Sequence, residues 1–247
     1  MQQYFVNGEA GRFVTIEDEN TLKHMFSVMR LQANDQVVLV FEDGIKRLAK
    51  VADSTSYTFE ILEELQDNTE LPVDVTIAAG FLKGDKLEFL TQKTSELGAR
   101  AVWGFPADRS VVKWSGKKLI KKTEKLKKIA QGAAEQSKRN QIPRIRLFEK
   151  KQEFLNCLSE FDRIFIAYEE SAKTGEKKVL ARELALLPKG SKILFVFGPE
   201  GGIAPEEVNL LEKQGGLKVG LGPRIMRAET APLFALSSVS YAFELMT

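Results

Sequence analysis

The chain has 247 residues, of which 43% are apolar and 28% charged, the balance of a folded globular protein rather than a disordered or collagen-like one. One cysteine, Cys157, excludes an internal disulfide, and with one histidine, His24, it cannot build a Cys/His zinc site, so no metal is expected. The net charge of +2 conceals an asymmetry: residues 1–70 carry 6 basic and 13 acidic side chains, the remainder 30 and 21.

The first seventy residues read as short strands, Gln3 to Val6, Arg12 to Ile16, Gln36 to Glu42, Ile45 to Ala52 and Tyr57 to Leu62, with Asp43-Gly44 turning a hairpin. A helix from about Asp18 to Met29, with Leu22, Met25, Phe26 and Met29 on one face, interrupts them. A small β-barrel fits this pattern. The acidic run Glu63 to Glu70 then meets Leu71-Pro72, where a boundary between domains of unequal size, 1–70 and 73–247, is expected.

From Val73 the period changes. The runs VDVTIAAGF, AVWGFPA, RIFIAYEE, KILFVFGPE and LKVGLG alternate with helical segments, which predicts an α/β domain with a largely parallel sheet. A helix from Lys86 to Leu97 places Leu87, Leu90, Thr94 and Leu97 on one face and stops at Gly98. A second, from about Lys117 to Arg139, buries Leu119, Leu126, Ile129, Ala130 and Ala133 and turns its basic face outward. The last starts at Thr230 as N-cap with Pro232 in its first turn, and carries an apolar stripe (Leu233, Leu236, Val239, Phe243) and a small-residue stripe (Ala235, Ser238, Ala242) suited to a subunit interface. No segment approaches the roughly eighteen apolar residues of a membrane span, and the N-terminal sequence lacks the pattern of a secretory leader, so a cytoplasmic protein is expected.

Between Lys113 and Arg146 stand 12 basic against 2 acidic side chains, with Trp103 and Trp114 flanking the start of the run. Such a run is either a solvated helix face or a polyanion-binding surface, and the scarcity of acids at i,i+4 favours the second. Ligands of open α/β sheets bind beyond the carboxyl ends of the strands, which directs attention to three loops. They are Ala167-Tyr168-Glu169-Glu170-Ser171, Phe197-Gly198-Pro199-Glu200-Gly201-Gly202, and Gly220 to Thr230. No G-x-G-x-x-G, P-loop or G-x-S-x-G motif is present, which disfavours Rossmann dehydrogenases, P-loop NTPases and serine hydrolases.

The combination F-G-P-E-G-G at 197–202 with L-G-P-R-I-M-R-A-E-T-A at 221–231 resembles the bacterial 16S ribosomal RNA uracil-N3 methyltransferases of the SPOUT class. Three further blocks match in family order: H-M-F-S-V-M-R-L at 24–31, K-x-x-x-x-x-x-K-T-S-E-L-G at 86–98 and A-A-E-Q-S-K-R-N-Q-I-P at 133–143. The resemblance implies a PUA-like N-terminal barrel that helps bind RNA and a SPOUT domain with a C-terminal trefoil knot that binds S-adenosylmethionine and forms a homodimer. Its substrate would be 16S rRNA, free or in the assembled small subunit. The cofactor pocket it implies comprises Ala167, Tyr168, Phe197, Gly198, Pro199, Glu200, Gly201, Gly220, Leu221, Gly222, Ile225, Met226 and Ala231. Two other readings stay open: a non-catalytic RNA-binding or ribosome-assembly protein, and a SPOUT enzyme acting on another RNA position.

N3 methylation requires removal of the N3 proton before attack on the methyl group, so a base and an anion-stabilising group are sought. Arg227, Glu229 and Glu200 are the catalytic candidates, with Glu135 and Arg139 in reserve. Glu200 and Glu229 equally suit helix N-termini, and Arg227 a phosphate anchor. RNA contacts are expected from Arg12, Lys23, Arg30, Lys113, Lys121, Lys125, Arg139 and Arg224, with Lys46, Arg47 and Lys50 completing a local basic face on the barrel. His24 and Arg30 suit packing or RNA contact alike. Cys157, in a helical stretch, is not placed for a cysteine-adduct mechanism.

Overall fold

The computed structural model describes residues 1–168 and 179–246. Glu169, Glu170 and Ser171 of the first candidate loop lie outside the described residues. Two compact units emerge, one of Met1–Glu70 with Ala134–Gln141, the other of Leu71–Ala133 with Ile142–Thr247. Residues 134–141, assigned by sequence to the larger domain, thus cluster with the first unit.

In the first unit, β1 (Gln3–Phe5), β2 (Phe13–Thr15), β3 (Gln36–Val40), β4 (Lys46–Asp53) and β5 (Thr58–Leu65) form a sheet in the order β1-β3-β4-β5-β2. Only β1–β3 is parallel, and the ladder is open between β1 and β2 among the described residues. The β3–β4 hairpin turns where expected: Asp43 Oδ1 accepts the Ile45 N–H at 2.9 Å, and Gly44 takes a φ of +74°. Tyr4, Met25, Leu39 and Phe59 fill its core.

The single α-helix expected over Asp18 to Met29 is instead one α-turn, α1 (Glu19–Leu22), followed by a wider π-helical segment, Lys23–Val28. Asp18 caps α1 through its carboxylate, which accepts the Thr21 N–H at 2.7 Å. The wider turn, closed by Met29 N–H donating to the His24 carbonyl, carries Met25 fully into the core and leaves Met29 at the surface.

The second unit is a six-stranded, wholly parallel sheet, built of β6 (Asp74–Gly80), β7 (Ala101–Phe105), β8 (Arg144–Leu147), β9 (Arg163–Ala167), β10 (Lys192–Phe197) and β11 (Gly216–Val219). Their order is β11-β9-β10-β6-β7-β8. Central strands β6 and β7 are near-continuous apolar runs because helices cover both faces. On one face α2 (Lys86–Glu96), α3 (Gly116–Gln136), α5 (Val179–Leu186) and α7 (Ala231–Ser240) bury Leu87, Leu90, Leu126, Leu184 and Leu236. On the other, α4 (Lys151–Leu155) and α6 (Pro205–Lys213) contribute Phe154, Val208 and Leu211.

The helix α2 ends as expected at Gly98, whose φ of +93° is open to glycine and whose missing Cβ makes room for Leu71. Strand β8 is an addition to the expected runs: R-I-R-L alternates charge with half-buried apolar side chains as an exposed edge does, but over only four residues. Trp103 and Trp114 are both buried in the two apolar layers and offer no stacking surface to a nucleic acid.

Helix α7 departs from its predicted faces. Ala235 is fully buried beside Leu236 and Val239, Ala242 packs on the same core, and Ser238 donates to the Phe234 carbonyl at 2.9 Å. The outward side carries large apolar groups instead: Phe234 and, beyond the helix, Tyr241 and Leu245, with Ser237 exposed between them. Thr230 precedes α7 in a helical conformation without a side-chain cap, so the N-terminal signal resides in Pro232 alone.

Candidate active site

Parallel pairing brings the carboxyl ends of β11, β9, β10 and β6 side by side, which places Val219, Ala167, Phe197 and Gly80 along one edge of the sheet. The three candidate loops leave from the first three of these strands. Tyr168 N–H donates to the Val219 carbonyl at 3.2 Å and so couples the first loop to the base of the third.

The second loop is pinched tightly. A Cβ on Gly198 would sit 2.5 Å from the Gly202 carbonyl carbon and 2.6 Å from the Ile203 nitrogen, and one on Gly80 would sit 2.6 Å from Pro199. Only glycine permits this approach. Gly202 N–H closes the turn onto the Pro199 carbonyl at 2.8 Å, and the Arg109 guanidinium donates to the Gly201 carbonyl at 3.0 Å. Glu207, 4% exposed, secures the exit: its carboxylate accepts the Ala204 N–H at 3.2 Å, the Asp108 N–H at 2.9 Å and the Lys151 ammonium at 3.0 Å. Phe197 and Pro199 direct their side chains inward, which leaves backbone groups to face a ligand.

The three catalytic candidates meet through a residue to which the sequence reading gave no role. Lys86, at the start of α2, lies 2.9 Å from Glu200 and 3.7 Å from Glu229, and Arg227 lies 4.0 Å from Glu229. Glu200 Oε1 also accepts the Lys83 N–H at 3.2 Å. The hydrogen bond that Lys86 donates to Glu200 holds its ammonium above the usual lysine range. For Glu200, burial opposes ionisation, but the Lys86 ammonium and backbone donors outweigh it and keep the carboxyl below the usual range. Glu229 is only 14% exposed, and its Oε2 is buried without a hydrogen-bond partner. Arg227, by contrast, is 83% exposed, free to reach a ligand. The third loop closes into α7 through the Arg227 carbonyl, which accepts the N–H groups of Thr230 and Ala231 at 2.9 and 3.0 Å. Gly220, Leu221, Gly222, Met226 and Ala231 are half-buried around it, whereas Ile225 is 75% exposed. The signal that could have found Lys86 was its place at the head of the K-x-x-x-x-x-x-K-T-S-E-L-G block.

The expected RNA contacts divide. Arg139 is 2% exposed and clamps Glu70 through two guanidinium nitrogens, while Glu70 Oε1 also accepts the N–H groups of Asn140 and Gln141 at 2.9 and 3.2 Å. It is a buried structural pair, not an RNA contact. Glu135, held in reserve as a base, lies within the first unit, where Phe5 N–H reaches it at 3.5 Å. Lys46 pairs with Asp67, Arg47 with Asp43 and Glu64, and Lys50 with Glu60, so these three are neutralised within the sheet. Lys125 is engaged as well: Glu88 on α2 pairs with both Lys122 and Lys125, at 2.8 and 2.7 Å, a trio that keeps one positive charge. Arg12, Lys23, Arg30, Lys113, Lys121 and Arg224 remain exposed, with Glu60 3.7 Å from Arg12. His24 is exposed too, its ring edge-on to Tyr4 with the two polar atoms 3.2 Å apart. Cys157 is buried, which pushes its thiol above the usual range, and it donates to the Glu153 carbonyl.

No group of metal-binding side chains is found among the described residues, nor is any helix there long and apolar enough to cross a membrane. Residues 69–240 match the RNA methyltransferase domain family, and residues 16–62 the RNA methyltransferase PUA domain family. The chain is 44% identical to the ribosomal RNA small subunit methyltransferase E of Bacillus subtilis, over 100% of this chain and 98% of that protein. A Neisseria gonorrhoeae ribosomal RNA small subunit methyltransferase E solved with bound S-adenosylmethionine superposes with a TM-score of 0.83 at 26% identity, covering both chains completely. A Legionella pneumophila protein solved with the same cofactor gives 0.84 at 27% identity over 97% of each chain. With its mixed α/β architecture, parallel sheet and PUA-like N-terminal unit, the chain belongs to the ribosomal RNA small subunit methyltransferase E family.

Proposed function

We propose that this chain is an S-adenosylmethionine-dependent methyltransferase that methylates N3 of a uridine in the 16S rRNA of the small ribosomal subunit. The observation that carries the reading is the full-length similarity to cofactor-bound relatives, joined to a pinched glycine loop and a carboxylate cluster at the carboxyl ends of the sheet. The residues present fit the cofactor. Gly80 and Gly198 leave no room for side chains where backbone groups must approach a ligand, Leu221, Met226 and Ala231 offer apolar contacts, and Glu229 Oε2, 3.7 Å from the Lys86 ammonium, makes no hydrogen bond and can accept one. The cofactor supplies, when bound, a methyl group activated by a positively charged sulfur.

The chain's own residues supply the rest. Backbone groups of Phe197 to Gly201 and of Gly220 to Gly222, together with Ala167 and Tyr168, hold and orient. Arg227, exposed and 4.0 Å from Glu229, stabilises negative charge on a uracil carbonyl oxygen as N3 loses its proton. Glu229 accepts that proton on Oε2, while Lys86 keeps Glu200 ionised and fixes the second loop against α2. Arg12, Lys23 and Arg30 in a PUA-like domain of residues 1–70, and Lys113, Lys121 and Arg224 in a catalytic domain of residues 73–247, contact RNA phosphates. The reading extends to a C-terminal trefoil knot, to action in the cytoplasm, and to a homodimer. What supports the dimer is the exposure of the large apolar groups Phe234, Tyr241 and Leu245.

The test is to incubate the protein with S-adenosylmethionine and undermodified small subunits, digest the rRNA and identify methylated nucleosides by mass spectrometry. 3-Methyluridine is expected, and its loss in an Arg227→Ala variant that still binds the cofactor assigns Arg227 to the chemistry. Cofactor binding without any methylated nucleoside refutes the reading.

A further inference from the structure

A cleft of about 740 Å³ opens on the second unit at the amino ends of the parallel strands, the opposite end of the sheet from the loops described above. Five cations line it: Arg100, Lys127, Arg144, Arg146 and Lys192. Only Asp74 and Glu160 oppose them in the lining. Several of these cations are engaged already. Lys127 pairs with Glu124 at 2.9 Å, and Arg146 lies over the Phe148 ring at 4.4 Å. Arg100 has Asp74 no nearer than 3.8 Å, and its buried Nε has no hydrogen-bond partner. Arg144 and Lys192 are exposed and form no ion pair among the described residues.

The register fixes their spacing. Arg144 pairs with Ala101 and Ala101 with Thr76, while Lys192 pairs with Asp74 two residues earlier on the same strand as Thr76. Arg144, Ala101, Thr76, Asp74 and Lys192 therefore point to one face of the sheet, and Arg100, directly before Ala101 at the amino end of β7, lines the cleft between them. Three strand intervals and two residues separate Arg144 from Lys192, roughly 15 Å between backbones. A single phosphate does not span that distance, whereas successive phosphates of a nucleic-acid strand do.

We infer that this amino-end cleft is a second RNA-binding site, an anchor in which Arg144, Lys192 and Arg100 hold successive phosphates of the RNA at the end of the sheet opposite the transfer site. The inference rests on the reading of the chain as an RNA-modifying enzyme, and the test separates the two. The experiment compares the full-length wild type with an Arg144→Gln/Lys192→Gln variant, both sites exposed, for affinity to a 16S rRNA fragment across a salt series. S-adenosylmethionine binding and methyl-transfer kinetics are measured in parallel. The variant is expected to lose about tenfold in RNA affinity and about 1.5 to 2 in the log–log salt slope, with KM for RNA raised, and kcat and cofactor affinity unchanged. Equal RNA affinity and slope in the two proteins overturns the anchor whether or not methyl transfer is seen. Loss of RNA affinity in the variant, alongside a wild type that transfers no methyl group, supports the anchor and refutes the enzymatic reading instead. Inorganic phosphate or a nucleoside diphosphate that binds the wild type as tightly as the RNA, and the variant not at all, overturns it in favour of a small-ligand pocket.

Discussion

Replacing Gly198 by alanine tests the architecture of the second loop directly. The added methyl would stand 2.5 Å from the Gly202 carbonyl carbon, 2.6 Å from the Ile203 nitrogen and 2.8 Å from the Gly202 Cα, all backbone atoms. Against an ordinary contact of 3.4 Å the shortfall is about 0.9 Å. No flexible side chain can give way there, so the cost belongs near the top of the ~1–3 kcal/mol range for overpacking. At about 2–4 °C per kcal/mol for a protein of this size, a fall of roughly 6–12 °C in Tm follows. The loop must open to admit the methyl, which displaces Glu200 and Gly201, and a loss of at least tenfold in S-adenosylmethionine affinity is expected, about 1.4 kcal/mol. Differential scanning calorimetry and isothermal titration read the two effects. Gly201→Ala is the control: its methyl would meet Arg109 alone, at 3.2 Å from Cβ and 3.5 Å from the carbonyl oxygen, and a much smaller fall in Tm is expected. A Gly198→Ala protein with unchanged Tm and unchanged cofactor affinity would refute the close-packed loop.

Arg139→Met removes one partner of a buried pair and strands Glu70, so urea unfolding is expected to show a loss of about 3–5 kcal/mol. RNA affinity of the remaining folded protein should be unchanged, and a stable variant that binds RNA poorly would reverse the assignment. Gly132→Ala, in an exposed turn of α3 with open space around its Cβ, is expected to raise stability by roughly 0.5–1 kcal/mol in the same assay. Glu200 has its folded-state pKa depressed, so its contribution is present above the unfolded value near ~4.3 and is lost as pH falls through the folded value. The stability difference between wild type and Glu200→Gln, at most about 1 kcal/mol at neutral pH because the pair is partly exposed, should vanish in acid. A difference that does not shrink as the pH is lowered contradicts the Lys86 pairing.

Apolar period and punctuation made the second unit legible. Five of its six strands and the limits of α2 follow from apolar runs and from Gly98, because buried parallel strands have few alternatives. The missed strand, β8, is an edge whose alternation of arginine and apolar side chains runs for only four residues, at the end of the basic run, too short for the period to stand out. The π-helical segment at Lys23–Val28 was illegible for a related reason: its wider turn is selected by where Met25 must go, not by local preference. In the site, the glycine loops and the three charged candidates could be located, whereas for Lys86 only its place at the head of the 86–98 block was a signal, and its pairing was hidden because its partners lie more than a hundred residues away in the chain. Charge counting along the chain could not show which lysines and arginines are paired with acids from distant segments: Lys125 with Glu88, Lys46 with Asp67, Arg139 with Glu70.

The strand order has a consequence for synthesis. In the finished sheet β6 is flanked by β10 and β7, with Ala79 opposite Phe197 and Gly80 opposite Phe105, yet β10 leaves the ribosome long after β6 and β7. A nascent chain that ends before Lys192 therefore exposes one unpaired edge of a largely apolar strand, and the loops at 197–202 and 220–230 do not yet exist to close over it. The site is assembled last, by non-local pairing that folds slowly. The chain thus has a vulnerable interval between the emergence of β7 and that of β10, when aggregation or chaperone capture competes with folding, and the site forms only once that interval has passed.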